Sequence, residues 1–209
     1  MLFTKYNVKR TKKLLKIDKK MLSLQKKFLM EIQKNNIEGL LVIKPTVFTD
    51  DRGGFFEPYN KQIFASQGLD MEFVQDNQSM SCKGVVRGLH LQAPPFAQGK
   101  LVRVVCGSAL DVAVDIRKNS PTFGKHVLVK LDAKENKLFW IPEGFAHGFI
   151  ALEDNTIFQY KVTNYYNKSS EMSIRWNDPT LNISWEIDNP IVSEKDIQSP
   201  LFEDFISPF

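Results

Sequence analysis

Three histidines stand among the 209 residues: His90, His126 and His147. An imidazole, with an ordinary pKa of about 6.5, takes and returns protons near neutrality. The three settings differ. His126 lies in KHVLVKL, an alternating strand pattern in which a histidine is structural or exposed. His90 lies in VVRGLHLQAPP, a polar cluster between a β run and a Pro-Pro turn. His147 lies in WIPEGFAHGF, between glycines and after a proline. Two histidines in Gly- and Pro-bounded segments of a strand-rich chain point to a site, because binding residues concentrate on segments held by a rigid scaffold. Cys82 and Cys106 are too few for a disulfide framework and read as ordinary thiols of a reducing cytoplasm. The chain has no CxxC, P-loop or GxGxxG motif, so zinc-ribbon, NTPase and dinucleotide-fold readings lack support.

The segment IPEGFAHG contains Pro-x-Gly-x-x-His, a spacing that resembles the second metal-binding motif of cupins. A cupin metal site usually also draws on His-x-His with a following Glu. Here the other segment reads His90-Leu91-Gln92, and the second histidine is missing. With half the usual ligand set absent, a metal-free site is expected, and a metal-dependent cupin is the alternative.

The elements that must hold these residues are strands. The run GLLVIKPTVF is β-branched and broken by Pro45, and DDRGGFF reads as a turn. Residues 60–67 (NKQIFASQ) predict one short helix. Leu110, Val112, Val114 and Ile116 alternate with Asp111, Ala113, Asp115 and Arg117, which predicts a half-buried strand. Residues 100–106 are expected to be its hairpin partner, with Gly107-Ser108 as the turn. Further strands are expected over 126–131, 138–141, 156–163 and 171–176. Short strands without intervening helices indicate an antiparallel barrel or sandwich.

The net charge of +4 suggests a nucleic-acid partner until it is divided. Residues 1–29 hold nine Lys and Arg10 against Asp18, a surplus of nine positive charges. Residues 30–209 hold 18 bases and 23 acids, a deficit of five. The body is acidic, and no nucleic-acid partner is expected. In the first segment Leu14, Ile17, Met21, Leu24 and Phe28 recur at helical spacing with Lys on the other faces. The expected organisation is a basic extension over 1–29, helical, disordered or upstream of the true start, and a single domain over 30–209. No apolar run reaches membrane-spanning length.

Beyond these patterns the chain carries a specific resemblance. The ordered segments FVQDNQS, GVVRGLHLQ, AQGKLVRVVCG, DVAVDIRKNSPTFG, LFWIPEGFAHGF, YKVTNYYNKSSE, WNDP and SEKD resemble the dTDP-4-dehydrorhamnose 3,5-epimerase family over roughly residues 30–201. The resemblance implies an all-β fold, a cupin-type jelly-roll β-sandwich with a few short helices. It implies epimerisation at C3 and C5 of a dTDP-linked 4-keto-6-deoxyhexose without metal or other cofactor. A C3-only epimerase acting on a related 4-keto sugar nucleotide is the close rival.

The same resemblance assigns roles residue by residue. His90 is expected to be the base, Asp196 its carboxylate partner, and Tyr160 the acid for the opposite face. Lys100, with His147 beside it, is expected to stabilise the enolate oxygen. Arg52 and Arg87 are expected at the diphosphate or sugar, and Gln75, Asp76 and Asn77 at the nucleotide end. Glu57, Glu171 and Lys195 match other ligand contacts, and Tyr166 matches an aromatic that stacks on thymine. A homodimer is implied, with N-terminal strand residues reaching the neighbouring subunit. Without the family, Lys100 reads as an edge-strand charge, Tyr160 as a half-buried strand aromatic and Asp196 as a turn acid. Two features depart from the pattern: Leu91, where family members often carry an aromatic, and the basic extension.

Overall fold

The structure, a computed structural model, describes residues 30–209. The expected basic helical stripe of residues 1–29 lies outside that range. The described residues form β1 (Glu31–Lys34), β2 (Leu41–Lys44), β3 (Phe48–Asp50), β4 (Gly53–Phe55), the helix α1 (Lys61–Ser66), β5 (Gln75–Ser81) and β6 (Val85–Gln92). There follow β7 (Lys100–Cys106), β8 (Ser108–Asp115), β9 (His126–Asp132), β10 (Leu138–Ile141), β11 (Phe145–Ala151) and β12 (Thr156–Val162). The chain closes with β13 (Glu171–Ser173), β14 (Ile191–Val192) and the helix α2 (Glu194–Ile197). No helix among the described residues is long and apolar enough to cross a membrane.

Two compact units are distinguished, one containing residues 45–69 and the other residues 32–44 and 70–209. In the smaller unit β3 and β4 pair antiparallel, and Asn60 caps α1 by accepting from the Gln62 and Ile63 amides.

The larger unit is a jelly-roll β-sandwich. One sheet runs β1-β2-β10-β7-β12-β5, and the other runs β13-β6-β11-β8-β9 with β14 added parallel to β6. One core lies between the sheets, where Val102, Val104, Phe139 and Phe158 of the first meet Ala113, Val129, Leu131 and Phe149 of the second. The Phe149 and Phe158 rings stack across it with centroids 3.9 Å apart. A second core joins Val86, Leu110, Val112, Val114 and Ile150 to Ile174, Leu181, Trp185 and Phe205 from the C-terminal part of the chain.

That second core corrects two sequence expectations. β8 is buried on both faces rather than one, because the C-terminal segment covers the side that Leu110, Val112 and Val114 present. Nor does β8 form a hairpin with β7. β7 pairs with β10 and β12, whereas β8 pairs with β9 and β11 in the other sheet. Gly107, at φ +76, turns the chain from one sheet to the other, and a Cβ there would meet Thr156 Oγ1 at 2.6 Å.

The alternating acids of β8 therefore point into protein, and each is paired. Asp115 accepts from Arg117, Ser120 and Thr122 at 2.6–2.8 Å. Burial opposes ionisation, but those donors win and hold its carboxyl at about 2. Asp111 pairs with His147.

Candidate active site

A cavity of about 750 Å³ lies in the larger unit, lined by residues of both sheets and of the segment running through β14 and α2. β5, β7 and β12 of one sheet contribute Asn77, Lys100 and Tyr160; β6 and β11 of the other contribute His90 and His147. His90 and His147 are direct antiparallel partners.

A bulge sets the aim of His90. His147 opposes His90 while Phe149 opposes Arg87, so β6 spends one residue more than β11 over this stretch. The extra residue falls at Gly88-Leu89. Gly88 has φ +137, and a Cβ built there would lie 2.5 Å from the Gly148 Cα. Only glycine permits both the conformation and the approach of the two backbones.

The bulge also presents the Gly88 amide to Asp196 Oδ2 at 3.3 Å, while Asp196 Oδ1 lies 2.6 Å from His90 Nε2. Asp196 sits in the first turn of α2, where Ser193 caps the helix by accepting the Asp196 amide at 3.2 Å. Its side chain is 4% exposed, against 33% for His90. Burial alone would raise the Asp196 pKa. The His90 contact, the Gly88 amide and Ser193 outweigh it and bring it below the ordinary carboxylate value. Nε2 being engaged, Nδ1 is left for the cavity that the ring lines.

Lys100 is 8% exposed and donates from Nζ to the His90 carbonyl at 3.2 Å. Burial lowers its ammonium to about 8, against the opposing pull of Asp111 and Glu171. His147 is buried, with Nε2 3.0 Å from Asp111 Oδ2. Burial lowers the His147 pKa and raises that of Asp111, each opposed by the other's charge. The Tyr160 phenol is raised by burial, with Arg87 opposing.

At the rim, Tyr166 donates to Glu171 at 3.2 Å, and Lys195 pairs with the other Glu171 oxygen at 2.7 Å. Burial would raise Glu171, but Lys195 and Tyr166 hold it below the usual range. Gln75 bonds Asn77 through its amide at 2.8 Å and accepts from the Tyr166 amide at 3.4 Å. Arg87 donates to Ser81 at 3.2 Å.

The cavity thus gathers His90, Lys100, His147, Tyr160 and Asp196, and with them Gln75, Asn77, Arg87, Tyr166, Glu171 and Lys195. Three residues singled out in the sequence do not line it. Asp76 points to the opposite face of β5, because strand side chains alternate, and pairs there with Lys161 at 2.8 Å. Arg52 and Glu57 belong to the smaller unit. Arg52 is held at 2.6 Å by Asp50, and Glu57 accepts from Asn60 at 3.1 Å.

Sequence reasoning passed over Asp111, Ser79, Gln92 and Phe149. Asp111 was hidden by an alternation that put it on a solvent face. A usable signal was its place between Leu110 and Val112 in a run free of turn residues, where a covered second face would force any acid to find a partner. Among the described residues no group of three or more His, Cys, Asp and Glu side chains is placed to hold a metal ion. His90 and His147 each face a separate carboxylate, so the donors do not make up a cupin-type ligand set.

Comparison with known proteins identifies the family. The family model described as dTDP-4-dehydrorhamnose 3,5-epimerase matches residues 34–204. The dTDP-4-dehydrorhamnose 3,5-epimerase of Shigella flexneri is 52% identical over 176 residues, which is 84% of this chain and 97% of that protein. The crystal structure of the enzyme of that name from Elizabethkingia anophelis superposes with a TM-score of 0.80 at 48% identity, covering 84% of this chain and 97% of the other. A Legionella pneumophila dTDP-6-deoxy-D-glucose-3,5-epimerase, solved with dTDP-4-keto-L-rhamnose, gives a TM-score of 0.81 at 44% identity, with 85% and 95% covered. By sequence and by fold, this chain belongs to the dTDP-4-dehydrorhamnose 3,5-epimerase family.

Proposed function

We propose that the chain converts dTDP-4-dehydro-6-deoxy-D-glucose to dTDP-4-dehydro-L-rhamnose by inverting C3 and C5 through enolate intermediates. The observation that carries this reading is the placement of a His–Asp pair and a tyrosine on facing sheets of one cavity, with a buried lysine between the same walls. Inversion next to a ketone needs a base on one face of the ring, an acid on the other, and a cation or donor at the oxygen that gains charge.

In this mechanism His90 Nδ1 takes the proton from carbon. The C–H electron pair moves into the ring and onto the C4 oxygen, forming the enolate. Asp196 keeps the proton of His90 on Nε2 in the resting imidazole and stabilises the imidazolium that forms. Lys100, with His147 beside it, meets the enolate oxygen. Tyr160 then gives its phenolic proton to the opposite face, and the electron pair returns to carbon. Exchange with solvent restores the proton to Tyr160 and removes that on His90. The same cycle at the second carbon completes the reaction.

Arg87 serves the diphosphate, where a guanidinium fork fits paired oxygens. Tyr166, half exposed at the rim, offers a ring for the thymine, with Gln75 and Asn77 near it. Glu171 and Lys195 complete the rim. The working form is a cytoplasmic homodimer in which Arg52, Glu57 and Asp76 act at the intersubunit part of the site. Exposed apolar side chains on the first sheet, Met80 and Val105, support association.

The test is direct. Purified protein is incubated with dTDP-4-dehydro-6-deoxy-D-glucose, and the product is identified by proton NMR. Inversion at both carbons is expected; substrate recovered unchanged would overturn the proposal.

A further inference from the structure

Behind the cavity wall lies a second His–Asp pair, of which the mechanism above uses only the histidine. His147 Nε2 lies 3.0 Å from Asp111 Oδ2, and Asp111 is fully buried. It repeats the arrangement of His90 and Asp196 on the neighbouring strand: each histidine lines the cavity and has Nε2 against a carboxylate. Yet Asp111 is poorly provided for as a structural acid. Its other oxygen, Oδ1, is buried without a hydrogen-bond partner. Around it are Phe149 and Val129, its cross-strand neighbours on β11 and β9, and an orphaned carboxylate oxygen there is costly to folding. Asp115, four residues on, shows what a purely structural acid looks like in this strand, with three side-chain donors.

We propose that Asp111 is a positioning residue for the reaction: it accepts the Nε2 proton of His147 and so fixes the orientation of that ring at the cavity, and it places a negative charge beside Lys100. This rests on the epimerase reading above. The charged and titratable groups that face the cluster are Lys100 from β7, His147 from β11, His90 from β6, Tyr160 from β12 and Glu171 from β13. Lys100 and Asp111 attract one another through the cavity wall, and both are buried, so the attraction is weakly screened. Removing the charge leaves Lys100 with burial opposing its protonated form and Glu171 as the remaining acidic support.

The test compares wild type with Asp111→Asn, which keeps shape and removes charge. With substrate, the wild-type rate is expected to fall on an alkaline limb near pH 8, where Lys100 loses its proton. In Asp111→Asn, kcat should fall about tenfold or more and the limb should move at least about one pH unit lower, with dTDP affinity changed by less than about threefold. A merely structural Asp111 would lower the melting temperature and the active fraction while leaving the limb in place, and that result overturns the proposal. In parallel, 15N-histidine NMR of the wild type should show His147 as the Nε2–H tautomer. The Nδ1–H tautomer would overturn the placement even if the variant does not fold. Absence of turnover in the wild type would instead count against the epimerase reading, and the tautomer measurement would still decide the position of Asp111.

Discussion

Asp196 Oδ1 lies 2.6 Å from His90 Nε2, although 106 residues separate them in the chain. Three local features produce the contact: the bulge at Gly88, the Gly88 amide on Asp196 Oδ2, and the Ser193 cap that fixes the first turn of α2. A buried carboxylate held this way stays ionised and orients the imidazole. Asp196→Asn should therefore lower kcat by about 10²–10⁴ with nucleotide affinity retained, as a base loses its orienting charge. Steady-state kinetics with calorimetric titration of dTDP checks it. His90→Ala should abolish turnover and leave the circular dichroism spectrum unchanged; normal activity in that variant would remove His90 from its role.

Lys100 makes activity and stability diverge with pH. Its folded pKa of about 8 lies below the ordinary 10.5, so between the two the unfolded chain binds the proton and the folded chain does not. The Lys100 contribution to stability therefore rises as pH climbs from about 8 towards 10.5, while the ammonium that the proposed mechanism requires is lost. Thermal melts of wild type and Lys100→Met across this range should show the difference between them changing in that direction, with wild-type activity falling.

Tyr160→Phe separates the two halves of the reaction. His90 can still remove and return a proton on its own face, so solvent exchange should persist. Inversion should slow by about 10²–10⁴, the range for loss of a general acid. Exchange followed by mass spectrometry beside product formation followed by NMR reads both; equal loss of the two would place Tyr160 outside the proton-donating step.

Gly88→Ala tests the bulge. The added Cβ would meet the Gly148 Cα at 2.5 Å in a left-handed backbone conformation. A loss of about 1–3 kcal/mol is expected, with reduced activity as Asp196 loses the amide that helps to hold it. Chemical denaturation measures the first and kinetics the second.

The strand-rich architecture was legible because short alternating runs and turn residues recur through residues 40–176. The pairing of β7 and β8 was not. The local pattern of two β runs around Gly107-Ser108 is the same whether the chain folds back on itself or crosses to another sheet; the outcome lies in the pairing of β7 with β10 and β12 and of β8 with β9 and β11, partners that come later in the chain. Burial of β8 on both faces was hidden for a similar reason, since its cover comes from residues 174–205. His90 and His147 stood out by their surroundings. Their carboxylates did not: Asp196, which reaches His90 from a distant turn, came only through the family resemblance, and Asp111 looked like the polar side of an ordinary strand. For Asp76, strand alternation could have separated it from Gln75 and Asn77, since neighbours on a strand face opposite ways.

The central claim is that one cavity inverts two carbons by removing and replacing protons. It is tested most directly by turning over dTDP-4-dehydro-6-deoxy-D-glucose in D2O and locating the label in the product by NMR. Deuterium at both C3 and C5, with both centres inverted, is the predicted result. Deuterium at C3 alone would make the protein a single-centre epimerase, and inversion without label at either carbon would contradict the enolate mechanism.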